Sequence, residues 1–378
     1  MVLRIIVGSL ALLSVGLLLW QWLVARRFPL HSRLSTSSFA PGLTLLKPLK
    51  GCDETTVACL RSWFAQDYGG PVQILFGVAA ADDPVCSVVN KLIQEFPEVE
   101  TQLIVCGPLT GTNLKVSKLA ELEREAIHSV FVISDADVKV PPDLLANAVV
   151  PLQTPEVGLV NCFYRLANPT TDAMRWEAIA INADFWSQVL QSQSLKPLDF
   201  ALGAVMLVRR ADLKQIGGFS TLADCLADDY QLGHRIAQLG RRIAISSVVV
   251  ECWSARMGWR AVWKHQLRWA RTIRVCQPVP YFFSILSNAT LWPLLWLAAA
   301  PTRFVFAVIV GSLVLRIGVA MDLHRRLTQV RPSLSDAWFV LLKDILQFGI
   351  WLLAFFGNRV EWRGERFRLR PDGTLVRN

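Results

Sequence analysis

Acidic residues recur in this chain just after apolar runs end, most sharply in residues 130–140, VFVISDADVKV. Val130 to Ile133 show no polar alternation, which predicts a strand covered on both faces. Asp135 and Asp137 follow with one residue between them. In an open α/β sheet, ligands bind beyond the carboxyl ends of the strands. Two carboxylates placed there make an oxygen-rich site for a hard divalent cation, which in turn can hold a diphosphate. Acidic pairs also occur in plain turns, so D-x-D by itself does not decide.

Other residues have similar double readings. Asp53 follows the first predicted strand and precedes Glu54-Thr55-Thr56. It is either a helix N-cap or a carboxylate for a nucleotide base or ribose. Asp82-Asp83 follows the second strand, and Asp83 suits the cap because Pro84 fits a first helical position. Lys115, in the polar stretch GPLTGTNLK, is either solvated or in reach of a diphosphate. Asp228-Asp229 lie in the first turn of a predicted helix, where the macrodipole favours acids. In HQLRW, the spacing puts His265, Arg268 and Trp269 on one helical face. That face can cover a phosphorylated leaving group or lie on anionic lipid.

The elements that must position these residues alternate in type, which argues a mostly parallel, doubly wound α/β sheet. Strands are expected at 43–46, 72–78, 103–105, 130–133, 157–162, 202–208 and 243–250. The first helix is expected to turn Val57, Leu60 and Phe64 inward. A second opens at Asp83-Pro84, and 107–115 reads as a polar loop. Further helices are expected at 170–191, at 224–240 with Leu232, Ile236 and Leu239 inward, and at 259–274. The last has Arg260, Lys264, Arg268 and Arg271 along one stripe.

The 378 residues are 53% hydrophobic, with the excess at the two ends, so a soluble middle is expected between membrane segments. Residues 5–24 are long enough to cross a bilayer, and Arg26, Arg27 and Arg33 place the following domain on the cytoplasmic side. A Ser/Thr-rich linker at 35–38 leads into that domain. The net charge of +9 flanks apolar segments rather than forming a nucleic-acid face, and the eight cysteines form neither a C-x-x-C pair nor a zinc pattern. Residues 282–300 and 304–321 are expected spans, the second interrupted by Arg316. Residues 336–356 carry Lys343 and Asp344 near the middle, where a charge costs roughly 2.5–3.5 kcal/mol. A re-entrant or interfacial helix is therefore expected, followed by a cytoplasmic tail that can pack against the soluble domain and shape a lipid entrance. The resulting divisions are 1–30 (anchor), 40–278 (soluble domain), 279–357 (membrane helices) and 358–378 (basic tail).

Taken in order, these segments resemble a membrane-bound GT-A glycosyltransferase, specifically the ceramide glucosyltransferase family, glycosyltransferase family 21. KPLKGCDE is similar to its first aspartate motif, ISDADVKV to its second, LADDY to its third and HQLRW to its R-W box. GVAAADDP, GTNLK and the tail EWRGERFRLR also resemble family segments. His265 departs from the family's Gln or Arg. ADDYQLG and HQLRWARTIR resemble bacterial members that glycosylate hopanoids.

The resemblance implies an inverting transferase that moves a sugar from a UDP-sugar to a lipid hydroxyl at the cytoplasmic face of a bacterial-type inner membrane. The lipid is a hopanoid polyol, with N-acetylglucosamine as the sugar, or ceramide, with glucose. Asp229 would be the base, Arg268 would act at the leaving group, and Trp269 would flank the leaving group or the acceptor. Asp137 with Asp135 would hold Mg²⁺ or Mn²⁺, while Asp53, Asp82, Lys115, Asp135 and His265 would hold the donor. The competing expectations are a processive polysaccharide synthase and a non-catalytic membrane scaffold. No nucleic-acid partner is expected.

Overall fold

Apolar runs without alternation build the central sheet. The computed structural model describes residues 1–34, 38–108, 110–362 and 365–377; most of the expected linker, Leu109 and Arg363 lie outside the described residues. The chain opens with the 26-residue helix α1 (Val2–Arg27). Strands and helices then alternate as β1 (Leu43–Pro48), α2 (Thr56–Phe64), β2 (Val72–Val78), α3 (Val85–Glu95), β3 (Glu100–Val105), α4 (Leu114–Glu125) and β4 (Val130–Ser134). Every residue of β4 is buried. Val130 and Val132 pack in one layer with Leu60, Trp63 and Val89, and Phe131 and Ile133 in another with Val116 and Leu119. That two-residue period is what a strand covered on both faces requires.

The remainder of the domain is β5 (Val138–Lys139), α5 (Leu144–Ala148), β6 (Val157–Leu166), α6 (Asp172–Ile179), α7 (Trp186–Gln193), β7 (Val205–Arg209), α8 (Arg210–Gln215), α9 (Asp228–Gln238) and β8 (Arg242–Cys252). The eight-stranded order is β3-β2-β1-β4-β7-β6-β8-β5. β3, β2, β1 and β4 run parallel, so the segments leaving β1, β2 and β4 emerge side by side. β7 is antiparallel to both β4 and β6. The sheet is thus mixed and mostly parallel, the α/β architecture expected.

Beyond it follow α10 (Trp259–Cys276), α11 (Pro278–Phe283), α12 (Leu291–Ala299), α13 (Arg303–Thr328), α14 (Leu334–Ala354) and a small antiparallel sheet of β9 (Arg359–Trp362), β10 (Glu365–Leu369) and β11 (Leu375–Arg377). Among the described residues, α1, α13 and α14 are long and apolar enough to cross a membrane. The core is continuous from the sheet into these helices, through Leu18 and Ala25 of α1 and Leu323 and Val340 further on.

Several expectations are corrected. Val57 is exposed, because α2 buries the face of Thr56, Cys59, Leu60, Trp63 and Phe64 instead. Residues 107–115 are not loop throughout: Asn113 caps a helix, and Lys115 lies in its first turn. The helix expected at 224–240 starts only at Asp228, and Leu239 is exposed. Residues 282–300 are not one helix. The segment breaks into α11 and α12, bent by 57°. Asn288 enforces the break, its Oδ1 accepting from the amides of Thr290 and Leu291.

Of the expected segment 336–356, all but the last two residues lie in an unbroken helix, α14. Lys343 and Asp344 do not meet hydrocarbon. They are buried in an ionic cluster with Arg316 of α13 and Asp184, which lies between α6 and α7. Arg316, expected as an interruption, bridges both acids at 2.7 and 2.9 Å. Both ends of α14 bind the sheet domain and its flanking helix. Asp336 pairs with Arg175 of α6 at 2.6 Å, and the Phe356 carbonyl accepts from Arg271 of α10.

Candidate functional site

Three strand ends deliver the first acids. After β1, Asp53 Oδ1 accepts from the amides and hydroxyls of Thr55 and Thr56 at 2.8–3.0 Å. Burial would raise its pKa, but these donors outweigh burial and hold it below the usual carboxylate range. Asp53 therefore makes the cap contacts with one oxygen. After β2, Asp83 accepts from the Val85 amide and from the amide of Gly51, a residue at φ +70° in the neighbouring turn. Asp83 thus ties the first two strand ends together, and Asp82 beside it is exposed.

After β4 the geometry tightens. Lys115 Nζ lies 2.9 Å from Asp135 and 2.9 Å from Asp228, joining a strand-end acid to a helix acid more than ninety residues later. Its own helix start is set by Asn113 Oδ1, which accepts from the Lys115 and Val116 amides. Burial alone would lower the ammonium's pKa, yet Asp135 and Asp228 together hold it above its ordinary value. Asp137 opens onto the cleft but is hemmed in by protein. Desolvation, and then the like charge of Asp135, push it up to about 6.

Asp229, in the first turn of α9, is also pushed up to about 6, by burial and then by Asp228, with Lys115 pulling the other way. Its Oδ1 accepts from the Tyr230 amide at 2.8 Å. Gly203 lies directly against it: a Cβ there would stand 2.7 Å from Asp229 Oδ2.

The helix α10 closes the other side. His265 Nδ1 is 2.7 Å from the buried Glu177 Oε1, which also accepts from Gln266 at 2.8 Å. The Trp269 ring lies 4.7 Å from His265 and 6.4 Å from Phe185, which in turn contacts Tyr164. Arg268 is half-buried on the same helix. The far end of α10 is tied to α9: Tyr230 donates to the Cys276 carbonyl at 3.0 Å and accepts from Gln277. The structure therefore brings Lys115, Asp135, Asp137, Asp228 and Asp229 together, and ties α9, which carries two of these acids, to the end of the helix that bears His265, Arg268 and Trp269. Asp53 and Asp82 stand at the adjacent strand ends.

Sequence reasoning missed four supporting features. Lys47 is fully buried over the Trp63 ring and donates to the Asp135 carbonyl at 2.8 Å. Burial lowers it to about 7, against the pull of Asp135 and Asp137. A lysine inside an otherwise apolar strand was the available signal. Gly203 and Glu177 carried no local signal. The fourth is the C-terminal sheet: Leu375 donates to the Asp224 carbonyl at 2.8 Å and Thr374 bridges to Cys225, just ahead of the Asp228-Asp229 turn.

With Lys115, Asp135, Asp228 and Asp229 in one cleft, carboxylates outnumber the single ammonium, so the arrangement can attract a divalent cation and take up a proton. Comparison with known proteins points the same way. The family model for glycosyl transferase family 21 matches residues 6–375. Ceramide glucosyltransferase 3 of Caenorhabditis elegans is 22% identical over 361 residues, spanning 93% of this chain and 77% of that protein. Ceramide glucosyltransferase 1 of the same organism is 24% identical over 229 residues, 58% of this chain and 47% of that one. Among solved structures, a mannosyltransferase from Pyrobaculum calidifontis, in complex with GDP-Man and Mn²⁺, matches 91% of this chain and 99% of its own. Its TM-score is 0.54 at 22% identity, a likeness of fold.

Proposed function

The chain belongs to glycosyl transferase family 21, and from that premise we propose that it moves a sugar from a UDP-sugar to a membrane-lipid hydroxyl with inversion at the anomeric carbon. The observation that carries this is the carboxylate of Asp229, set in the first turn of α9 beside the Lys115–Asp228 pair, against Gly203, and raised to about 6. A base of that pKa is ionised at neutral pH and still able to hold a proton. As the acceptor oxygen attacks, Asp229 takes its proton, the new glycosidic bond forms, and the bond to the diphosphate breaks. Arg268 and Trp269 flank the departing UDP, with His265 held by Glu177 behind them. Asp53 and Asp82 hold uridine and ribose.

Asp135 and Asp137 fit a divalent cation, Mg²⁺ or Mn²⁺. They are hard oxygen donors crowded enough to raise Asp137, a repulsion that a cation relieves. Among the described residues no group of three or more His, Cys, Asp or Glu could hold a metal, so Asp135 and Asp137 are the two side chains that would hold the ion. Such an ion supplies positive charge to the leaving group. Lys115, engaged by Asp135 and Asp228, holds those acids in place at the diphosphate end.

The acceptor class follows from position: α10 runs from this cleft directly into the apolar α11–α12 pair. The names of the curated relatives favour ceramide and glucose. The segments ADDYQLG and HQLRWARTIR favour a hopanoid polyol and N-acetylglucosamine. We place the sheet domain on the cytoplasmic side of a bacterial inner membrane, as Arg26, Arg27 and Arg33 favour.

UDP release from UDP-glucose and UDP-N-acetylglucosamine, each with ceramide or a bacteriohopanepolyol, tests this reading. One pairing should stimulate release and yield a single-sugar product, and EDTA should abolish it. Polymeric product would favour the processive alternative. No release with any pairing would leave a scaffold.

A further inference from the structure

In the C-terminal sheet, like charges are folded against one another. Arg368 stands opposite Arg359 across β9 and β10, and Arg366 opposite Glu361. Strand alternation turns Val360, Phe367, Leu369 and Leu375 inward onto Leu226. It leaves Arg359, Arg366 and Arg368 exposed on the opposite side. Like charges directly across a sheet are unfavourable, and among the described residues no carboxylate pairs with Arg359 or Arg368. Lys264 of α10 adds to the same face through its 2.8 Å pair with Glu361.

Beside this basic face, polarity changes abruptly. Phe282 and Phe283 of α11 and Leu352, Leu353, Phe355 and Phe356 at the end of α14 are exposed. Arg271 fixes the two regions together by donating to the carbonyls of Phe356 and Arg359. Cationic side chains bordered by exposed aromatic and aliphatic ones match a surface that rests on anionic headgroups, with its apolar edge at the acyl boundary.

The inner side of the sheet reaches the cleft. Leu226 donates to the Gly373 carbonyl and Leu375 to the Asp224 carbonyl. On the far side of this segment, Asn113 donates from its amide to the Ala223 carbonyl and from Nδ2 to the Cys225 carbonyl. Residues 223–226 are therefore gripped between β11 and the start of α4, and they lead directly into Asp228 and Asp229.

We propose that the basic face of this sheet docks on anionic phospholipid headgroups of the membrane crossed by α1 and α13, and that docking steadies residues 223–229. This goes beyond the transferase reading, since it concerns a lipid that is neither donor nor acceptor. The test is hydrogen exchange of the full chain in nanodiscs of phosphatidylcholine alone and of phosphatidylcholine with phosphatidylglycerol. Exchange at 365–377 and at 223–229 should slow in the anionic discs, by about fivefold for each arginine engaged.

Arg366→Gln with Arg368→Gln should remove that difference between lipids, whereas the lysine pair at the same positions should keep it. Equal exchange of the unmodified chain in both lipids would overturn the proposal without any variant having to fold. So would a glutamine variant that keeps the lipid dependence. Slowing by inorganic phosphate in neutral discs would overturn it too, by revealing a small-anion site instead. UDP release in the same discs reports on the transferase reading separately.

Discussion

Asp228 and Asp229 are adjacent in the chain, yet their surroundings separate them: Asp228 is paired with Lys115, while Asp229 is raised by burial and by its neighbour. Asp229→Asn should leave UDP-sugar binding intact and lower kcat by about 10²–10⁴-fold, since the amide cannot take the acceptor's proton. Isothermal titration alongside UDP release separates the two effects. The raised pKa also sets a sign. Activity should be full above about 6 and fall as pH drops through it, because protonation removes the base. Asp228→Asn removes a like charge, so the acid limb of the kcat profile should move to lower pH. A limb that stays in place would assign it to another group, Asp137 being the alternative with the same value.

Between elements, the close approach of the turn before β7 to the first turn of α9 is made by Gly203. In Gly203→Ala, the new Cβ would displace the Asp229 carboxylate while leaving the sheet intact. We expect kcat to fall by up to about 10²-fold, with donor affinity and Tm nearly unchanged. The ionic cluster joining α13 and α14 to Asp184 predicts the opposite pattern. Arg316→Met leaves two buried acids with only Lys343 between them. Loss of one partner from such a cluster costs about 3–5 kcal/mol, so the detergent-solubilised protein should show a clear drop in Tm.

At the scale of the whole molecule, contacts along α1 order the membrane helices. Trp296 of α12 packs against Gly8, near the start of α1, whereas Arg326 of α13 donates to the Arg26 carbonyl at its end. The broken α11–α12 pair thus reaches the far end of α1, and α13 returns. With both ends of α14 bound to the sheet domain and its flanking helix, and β11 paired to residues 224–226, the C-terminus lies on the same side as that domain. A C-terminal GFP fusion should fluoresce and an alkaline phosphatase fusion should be inactive. The reverse pattern would mean that the cleft faces outward or that the helix order is misread.

What the sequence determined by itself was what depends on neighbouring residues and on chain order. The unalternated run at Val130–Ile133, the acids after β1, β2 and β4, and the shared face of His265, Arg268 and Trp269 all follow from local periodicity. Tertiary structure alone decided which charges meet. Lys115 reaches Asp228, Lys47 is buried beneath Asp135, and Arg316 and Lys343 find Asp184 across more than a hundred residues. No local pattern records such pairings, because a charge inside an apolar segment reads as a defect until its partner is in view. The tail shows the same limit. Its arginines were legible as charge, but its pairing beside the Asp228-Asp229 turn was not, since the backbone groups of Asp224 and Leu226 that pair with it are common to every sequence.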